Sequence, residues 1–174
     1  MNKKIIIGRQ DIADFPDLNL FEIPIKIDSG AYTSSFHCHN IAEFEDKGVK
    51  KIKCNFLDPE HEQYHEKEFV FENYKIRRVK SSNGITEERY SVTTKIEIFN
   101  QLLPIELTLT ERGSMKFHVL IGRKFLSKKF IVDTALTNQS SKNIIKIYED
   151  YSTIKKPQFI LYQKIGRSWR KEKT

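Results

Sequence analysis

The feature that most constrains this chain is an apolar alternation with a period of two, recurring from Ile5 to Leu109. That period sends successive side chains to opposite faces of an extended backbone, so such segments become half-buried strands. Ile5 and Ile7 begin the pattern. Ile23, Ile25 and Ile27 continue it, followed by Phe36, Cys38, Asn40, Ala42 and Phe44, and by Ile52, Cys54 and Phe56. Tyr90, Val92, Thr94, Ile96 and Ile98 form another set, and Ile105, Leu107 and Leu109 the next. "KEFVFENYKIRRV" predicts two strand pieces with "FENY" as a turn or bulge. Val119-Leu120-Ile121 breaks the alternation, and three consecutive apolar residues suit a strand buried on both faces.

Turn chemistry punctuates these strands. Ser81-Ser82-Asn83-Gly84 contains Asn-Gly, a strong hairpin signal, and "TNQSSKN" reads as a loop. "DPEHEQYHEKE" predicts a short polar helix or a loop, "GRKFLSKKF" a helical turn or two, and "QFILYQKI" a late strand. With no repeat and no linker read, residues 1–174 are expected to form a single mainly-β domain, a barrel or folded sandwich.

Composition narrows the function classes. At 39% hydrophobic and 30% charged residues, the chain reads as a globular domain with a generous surface. No apolar run approaches the roughly 18 residues needed to span a bilayer, and "IIIG" is too short for a signal-peptide core. A cytoplasmic protein with no membrane partner is the expectation. Cys38 and Cys54 are too few for a disulfide framework and are expected as packed, reduced thiols. Much of the formal +7 charge gathers at Lys164, Arg167, Arg170, Lys171 and Lys173, so a basic, frayed tail at about 166–174 accounts for it without nucleic acid.

Chemistry concentrates in "IPIKIDSGAYTSSFH", where Asp28 ends an apolar strand and Ser29 and Gly30 follow. Taken alone, the tripeptide reads as an ordinary turn; with its neighbours it also reads as an aspartic-protease loop. Three pieces stand in order: Asp28-Ser29-Gly30-Ala31, the Ser81–Gly84 hairpin, and Val119-Leu120-Ile121 running into Gly122-Arg123.

This order resembles the retropepsins, single-lobe relatives of pepsin. "KIDSGAYTSSFH", "RRVKSSNGITEERY", "IELTLTERGSMKFHVLIGRKFL" and "FIVD" are similar to a bacterial family named ATP-dependent zinc proteases and now regarded as retropepsin-like. The resemblance runs from about Ile7 to Asp133. It implies a closed retropepsin-type barrel with a short helix after Gly-Arg. Asp28 would be the catalytic carboxylate, with Ser29, Gly30, Ala31 and Thr33 in its loop. Ser81, Ser82, Asn83 and Gly84 would form a flap over a peptide or protein substrate, while Gly122 and Arg123 would brace the loop and the dimer. Residues around Lys4–Gly8 and Gln158–Ile165 would supply an intersubunit sheet, and an ATP-grasp ligase would be a possible partner.

Peptide hydrolysis by this route needs two carboxylates sharing one proton. The chain holds one Asp-Ser-Gly and no Asp-Thr-Gly, and Asp133-Thr134-Ala135 has alanine where the turn glycine would stand. A homodimer is therefore expected, with no cofactor required. Two rivals remain. One is a non-catalytic peptide-binding module on the same barrel. The other is a zinc hydrolase through His61-Glu62-x-x-His65, a literal His-Glu-x-x-His match. Its surroundings are almost wholly polar, Pro59 precedes it, and no third ligand is evident.

Overall fold

The computed structural model describes residues 4–64, 66–80, 84, 86–111 and 116–141, together with the backbones of 162–165 and 168–171. In chain order the elements are β1 (Ile5–Ile7), β2 (Gln10–Phe15), a 3-10 turn (Pro16–Leu18), β3 (Leu20–Ile27), β4 (Ser34–Asp46) and β5 (Val49–Phe56). There follow β6 (Phe69–Phe71), β7 (Tyr74–Lys80), β8 (Thr86–Ile98), β9 (Gln101–Thr110), β10 (Val119–Ile121), α1 (Arg123–Leu126) and β11 (Phe130–Val132). Beyond them β12 (Tyr162–Ile165) pairs antiparallel with β13 (Ser168–Lys171), which falls inside the basic tail. Among the described residues no helix is long and apolar enough to cross a membrane.

The chain is mainly β, as the alternation predicts. In β3, Ile23, Ile25 and Ile27 are buried while Glu22, Pro24 and Lys26 face out. The strands pair in a circuit: β10 with β3, β3 with β2, β2 with β8, β8 with β9, β9 with β4, and β4 back to β10. β5 and β6 extend the sheet outward from β4. β10 lies parallel to β3 and antiparallel to β4, and Val119 and Ile121 are fully buried between them.

Inside the circuit, Phe15, Phe36 and Phe56 stack in series with ring centroids 5.0 and 4.8 Å apart. Their tilted contacts exploit the ring quadrupole as well as apolar burial. Cys38 and Cys54 are buried free thiols, as expected, and the contact with Cys54 together with burial pushes Cys38 up.

Two hairpins turn on two residues each, Lys47-Gly48 and Phe99-Asn100, all at positive φ as a right-twisted ribbon prefers. A bulge in β4 between His39 and Ala42 leaves Asn40 at φ 54 and exposed. Asn40, Ala42 and Phe44 therefore do not continue the face begun by Phe36 and Cys38, because one inserted residue reverses the alternation.

Candidate active site

Asp28 stands at the end of β3 beside the end of β10. Its backbone N–H donates to the Ile121 carbonyl at 3.0 Å, continuing the parallel ladder by one residue. Its carboxylate Oδ1 accepts from the N–H groups of Gly30 at 2.9 Å and Ala31 at 3.1 Å, which folds the loop around it. Asp28 is half-buried, while Ser29 and Gly30 are exposed. Gly30 lies outside the left-handed region; a Cβ there would stand 3.2 Å from Asp28 Oδ1, so glycine is used for closeness rather than for its φ.

Gly122 and Arg123 clamp this loop. A Cβ on Gly122 would meet the Thr33 carbonyl group at 2.6 Å, so only glycine admits that backbone approach. The Gly122 N–H donates to Ser34 Oγ at 3.0 Å. Arg123 Nη1 donates to the carbonyls of Ser29 at 2.8 Å and Gly30 at 3.0 Å. The N–H groups of Arg123 and Lys124, otherwise unpaired at the start of α1, donate to the carbonyls of Ala31 and Tyr32, each at 2.9 Å.

A second copy of this arrangement lies next to the first. Ile5-Ile6-Ile7-Gly8-Arg9 repeats the pattern of Val119-Leu120-Ile121-Gly122-Arg123, and Asp133-Thr134-Ala135-Leu136 repeats that of Asp28-Ser29-Gly30-Ala31. β1 pairs with β11 in parallel, as β10 does with β3. Asp133 N–H donates to Ile7 O at 2.9 Å, Ala135 N–H to Asp133 Oδ1 at 2.9 Å, and Arg9 N–H to Leu136 O at 2.8 Å. Arg9 Nη1 reaches Thr134 O at 3.3 Å, and a Cβ on Gly8 would strike the Leu136 carbonyl. Ile27 N–H to Arg9 O at 3.0 Å joins the two copies. The expectation of no internal repeat is thus corrected: the two halves of each motif are remote in sequence and appear in opposite order, so only strand pairing assembles them. β1, expected in an intersubunit sheet, has this intrachain partner.

The flap position falls on the β7–β8 hairpin, whose register closes at Lys80 and Thr86. Gly84 sits in its turn at φ 81; Ser81, Ser82 and Asn83 lie outside the described residues. Arg77 of β7 forms a two-point pair with Glu106 of β9, at 2.7 and 3.2 Å. Lys124 Nζ donates to the same carboxylate at 2.6 Å and Ser91 Oγ at 3.2 Å. Burial alone would raise Glu106, but the bonds from Arg77 and Lys124 outweigh it and bring it down to about 2. One carboxylate therefore links the hairpin to the helix that carries Arg123.

His61 lies in a run of turns and bends over 57–64, not on the helix that a His-Glu-x-x-His zinc site requires, and His65 lies outside the described residues. His61 has gathered with other histidines instead. His37 Nε2 meets Asp58 Oδ1 at 2.6 Å and His118 Nε2 meets Asp58 Oδ2 at 3.1 Å. The His61 ring packs edge-on to His118 at 5.0 Å, and His39 Nε2 lies 3.4 Å from the Tyr64 hydroxyl. Burial would raise Asp58, yet the contacts from His37 and His118 hold it below the usual carboxylate range. Burial, reinforced by the charge of His118, pushes His61 down. Sequence reasoning missed Asp58 and His118; the available signal was a polar imidazole immediately before the buried β10.

Comparison with known proteins places this geometry. Residues 6–143 match the family described as RimB-like, retropepsin-like aspartic endopeptidase RimB. The chain belongs to this family. Three relatives of the RimB-like chain are each named probable alpha-L-glutamate ligase. Those from Shewanella pealeana and Shewanella halifaxensis are 35% and 33% identical over 76% and 84% of this chain, and 29% and 33% of their own lengths. That from Desulfotalea psychrophila is 32% identical over 76% of this chain and 29% of its own length. The RimB-like chain thus spans about a third of these relatives or less. A solved structure of a Legionella pneumophila protein of unknown function superposes with a TM-score of 0.59 at 26% identity, covering 79% of this chain and 99% of that one. The name ATP-dependent zinc protease is not the one under which the RimB-like family matches.

Proposed function

We propose that this RimB-like chain is an aspartic endopeptidase that works as a twofold dimer, on a retropepsin-type barrel formed by the strand circuit. The observation that carries the reading is the Asp28 carboxylate, half-buried and held by two backbone N–H groups in a loop braced by Gly122 and Arg123. Backbone donors to one oxygen fix the orientation of the carboxylate, and orientation is the first requirement of a group that transfers protons.

Catalysis then needs a second carboxylate at the same place, and a second copy of the chain supplies it. The two Asp28 groups share one proton because two like charges in contact cannot both ionise. The ionised member takes a proton from water as the water oxygen attacks the scissile carbonyl, and the protonated member donates to the carbonyl oxygen. Collapse of the tetrahedral intermediate breaks the C–N bond, with a proton delivered to the departing amine. Ser29, exposed in the loop, would hydrogen-bond across the axis, and the β7–β8 hairpin would cover the substrate. Exposure fits association: Tyr32 is 63% exposed beside the loop, and Ile6 and Ile131, cross-strand neighbours in β1 and β11, are each 52% exposed.

The ligase name of the relatives, of which this chain spans only a part, supports a substrate bearing glutamate residues and an association with a glutamate ligase. The formal charge of +7 favours such an acidic peptide. The two free thiols fit work in the cytoplasm. The test is incubation of wild type and Asp28→Asn with glutamyl-rich and diverse peptides from acid to neutral pH, with and without chelator. Cleavage that resists chelator and is absent from Asp28→Asn supports the reading. Cleavage that persists in Asp28→Asn overturns it, and silence on every peptide favours the binding module.

A further inference from the structure

We propose that His37, His39 and Asp58 form a binding site for a divalent late first-row transition ion, with zinc the best match. One ligand atom from each lies within 4.8 Å of the others. Four-coordinate zinc with ligands at about 2.0–2.1 Å sets neighbouring ligand atoms roughly 3.3 Å apart. Closing the set on an ion therefore needs side-chain movements of about an ångström, with no backbone rearrangement.

The placement follows from the fold. His37 and His39 are two residues apart on β4 and share a face, while Cys38 is buried on the other. Asp58 comes from the turn after β5, which is already ordered. His61 N–H donates to Asp58 O at 2.9 Å and Tyr64 N–H to His61 O at 2.8 Å, and Gln63 is tied to both backbone groups of Phe21. Little conformational freedom remains to be lost on binding. His118 contacts the second oxygen of Asp58 and would orient it, as carboxylate ligands are commonly held from behind.

A hydrogen-bonded His37–Asp58–His118 chain would by itself satisfy the carboxylate. It leaves out His39, whose Nε2 has a long 3.4 Å contact with the Tyr64 hydroxyl and whose ring stands 6.5 Å from that of His37. Three imidazoles, those of His37, His39 and His118, stand around one carboxylate that is bonded to two of them. Imidazole with carboxylate selects zinc and its neighbours over calcium or magnesium. These ligands are not the His61–His65 pair read from the sequence.

The site is separate from Asp28. His118 precedes Ile121 by three residues along β10, about 10 Å at the rise of a strand. A bound ion would tie the 57–64 segment to β4 at the opposite end of β10 from the Asp28 loop, and would take no part in peptide hydrolysis.

The experiment is titration of the chelator-treated chain with Zn²⁺ against a competing chromophoric chelator, with Co²⁺ as a spectroscopic probe. Wild type is expected to bind one equivalent. Asp58→Asn and His39→Gln should each weaken binding at least 100-fold, and His118→Gln roughly 10- to 100-fold. Asp28→Asn should bind as wild type does. Absence of binding, or affinities within threefold of wild type in both Asp58→Asn and His39→Gln, overturns the proposal. Should those variants not fold, the wild-type Co²⁺ spectrum decides. Tetrahedral ligand-field bands without thiolate charge transfer support the site; their absence, or a thiolate band from Cys38 or Cys54, refutes it.

Discussion

The backbone N–H of Asp28 donates to the carbonyl of Ile121 at 3.0 Å, so the position of the candidate carboxylate is set by a strand more than ninety residues further along the chain. The carboxylate can be no better placed than β10, and β10 is positioned by pairing with both β3 and β4. Gly122 completes the dependence, since its missing side chain lets the backbone after β10 rest against Thr33.

Gly122→Ala should therefore be strongly destabilising. Its Cβ would stand 2.6 Å from backbone atoms, which cannot move aside as a side chain end can. A loss of about 3 kcal/mol or more is expected, read as a fall in the urea midpoint. Gly48→Ala, at φ 80 in open space, should cost only about 1 kcal/mol.

The repeated motif yields a matched pair. Asp28→Asn should abolish peptide cleavage, whereas Asp133→Asn should leave it within a few-fold of wild type, because asparagine Oδ1 can still accept from Ala135. Loss of cleavage in a folded Asp133→Asn protein would move the chemistry into a single chain.

Arg123→Lys keeps the charge but replaces the rigid guanidinium, whose Nη1 donates to both Ser29 and Gly30, with a shorter and freely rotating ammonium. Stability should fall by about 1 kcal/mol, with a larger fractional loss in kcat than rise in KM. Arg9→Lys should change neither measurably, because the Arg9 bond to the Thr134 carbonyl is 3.3 Å long and exposed.

Glu106 predicts a pH dependence. Its carboxyl is depressed from 4.5 to about 2 in the folded state; burial opposes this and the bonds from Arg77 and Lys124 prevail. A depressed carboxylate stabilises fully above its unfolded value and loses that contribution as pH falls towards its folded value. Arg77 and Lys124 are partly exposed and screened, so a contribution on the order of 1–2 kcal/mol is expected. Wild type should exceed Glu106→Gln in denaturant stability at pH 7, and the gap should shrink from about pH 4.5 and close near pH 2. A constant gap would refute the assignment.

Local patterns carried much of the fold. The Ile23-Ile25-Ile27 alternation, the β7–β8 hairpin with Gly84 in its turn, the Val119–Ile121 strand and the single helical turn of α1 each express a preference confined to a few neighbours, though Leu120 is only half-buried between buried Val119 and Ile121. The Asp28–Gly30 turn belongs to the same class, because its carboxylate bonds to amides two and three residues away.

The remainder depended on contacts between remote segments. The clamp of Arg123 on Ser29 crosses 94 positions, His118 reaches Asp58 across 60, and the twin motif joins Ile7 to residues beyond 130. The bulge at Asn40 reverses a face that simple alternation would continue. Residue spacing governs which side of a strand a side chain takes. Which strands then lie together depends on closing the circuit around Phe15, Phe36 and Phe56, and that choice alone brought three scattered histidines to one aspartate.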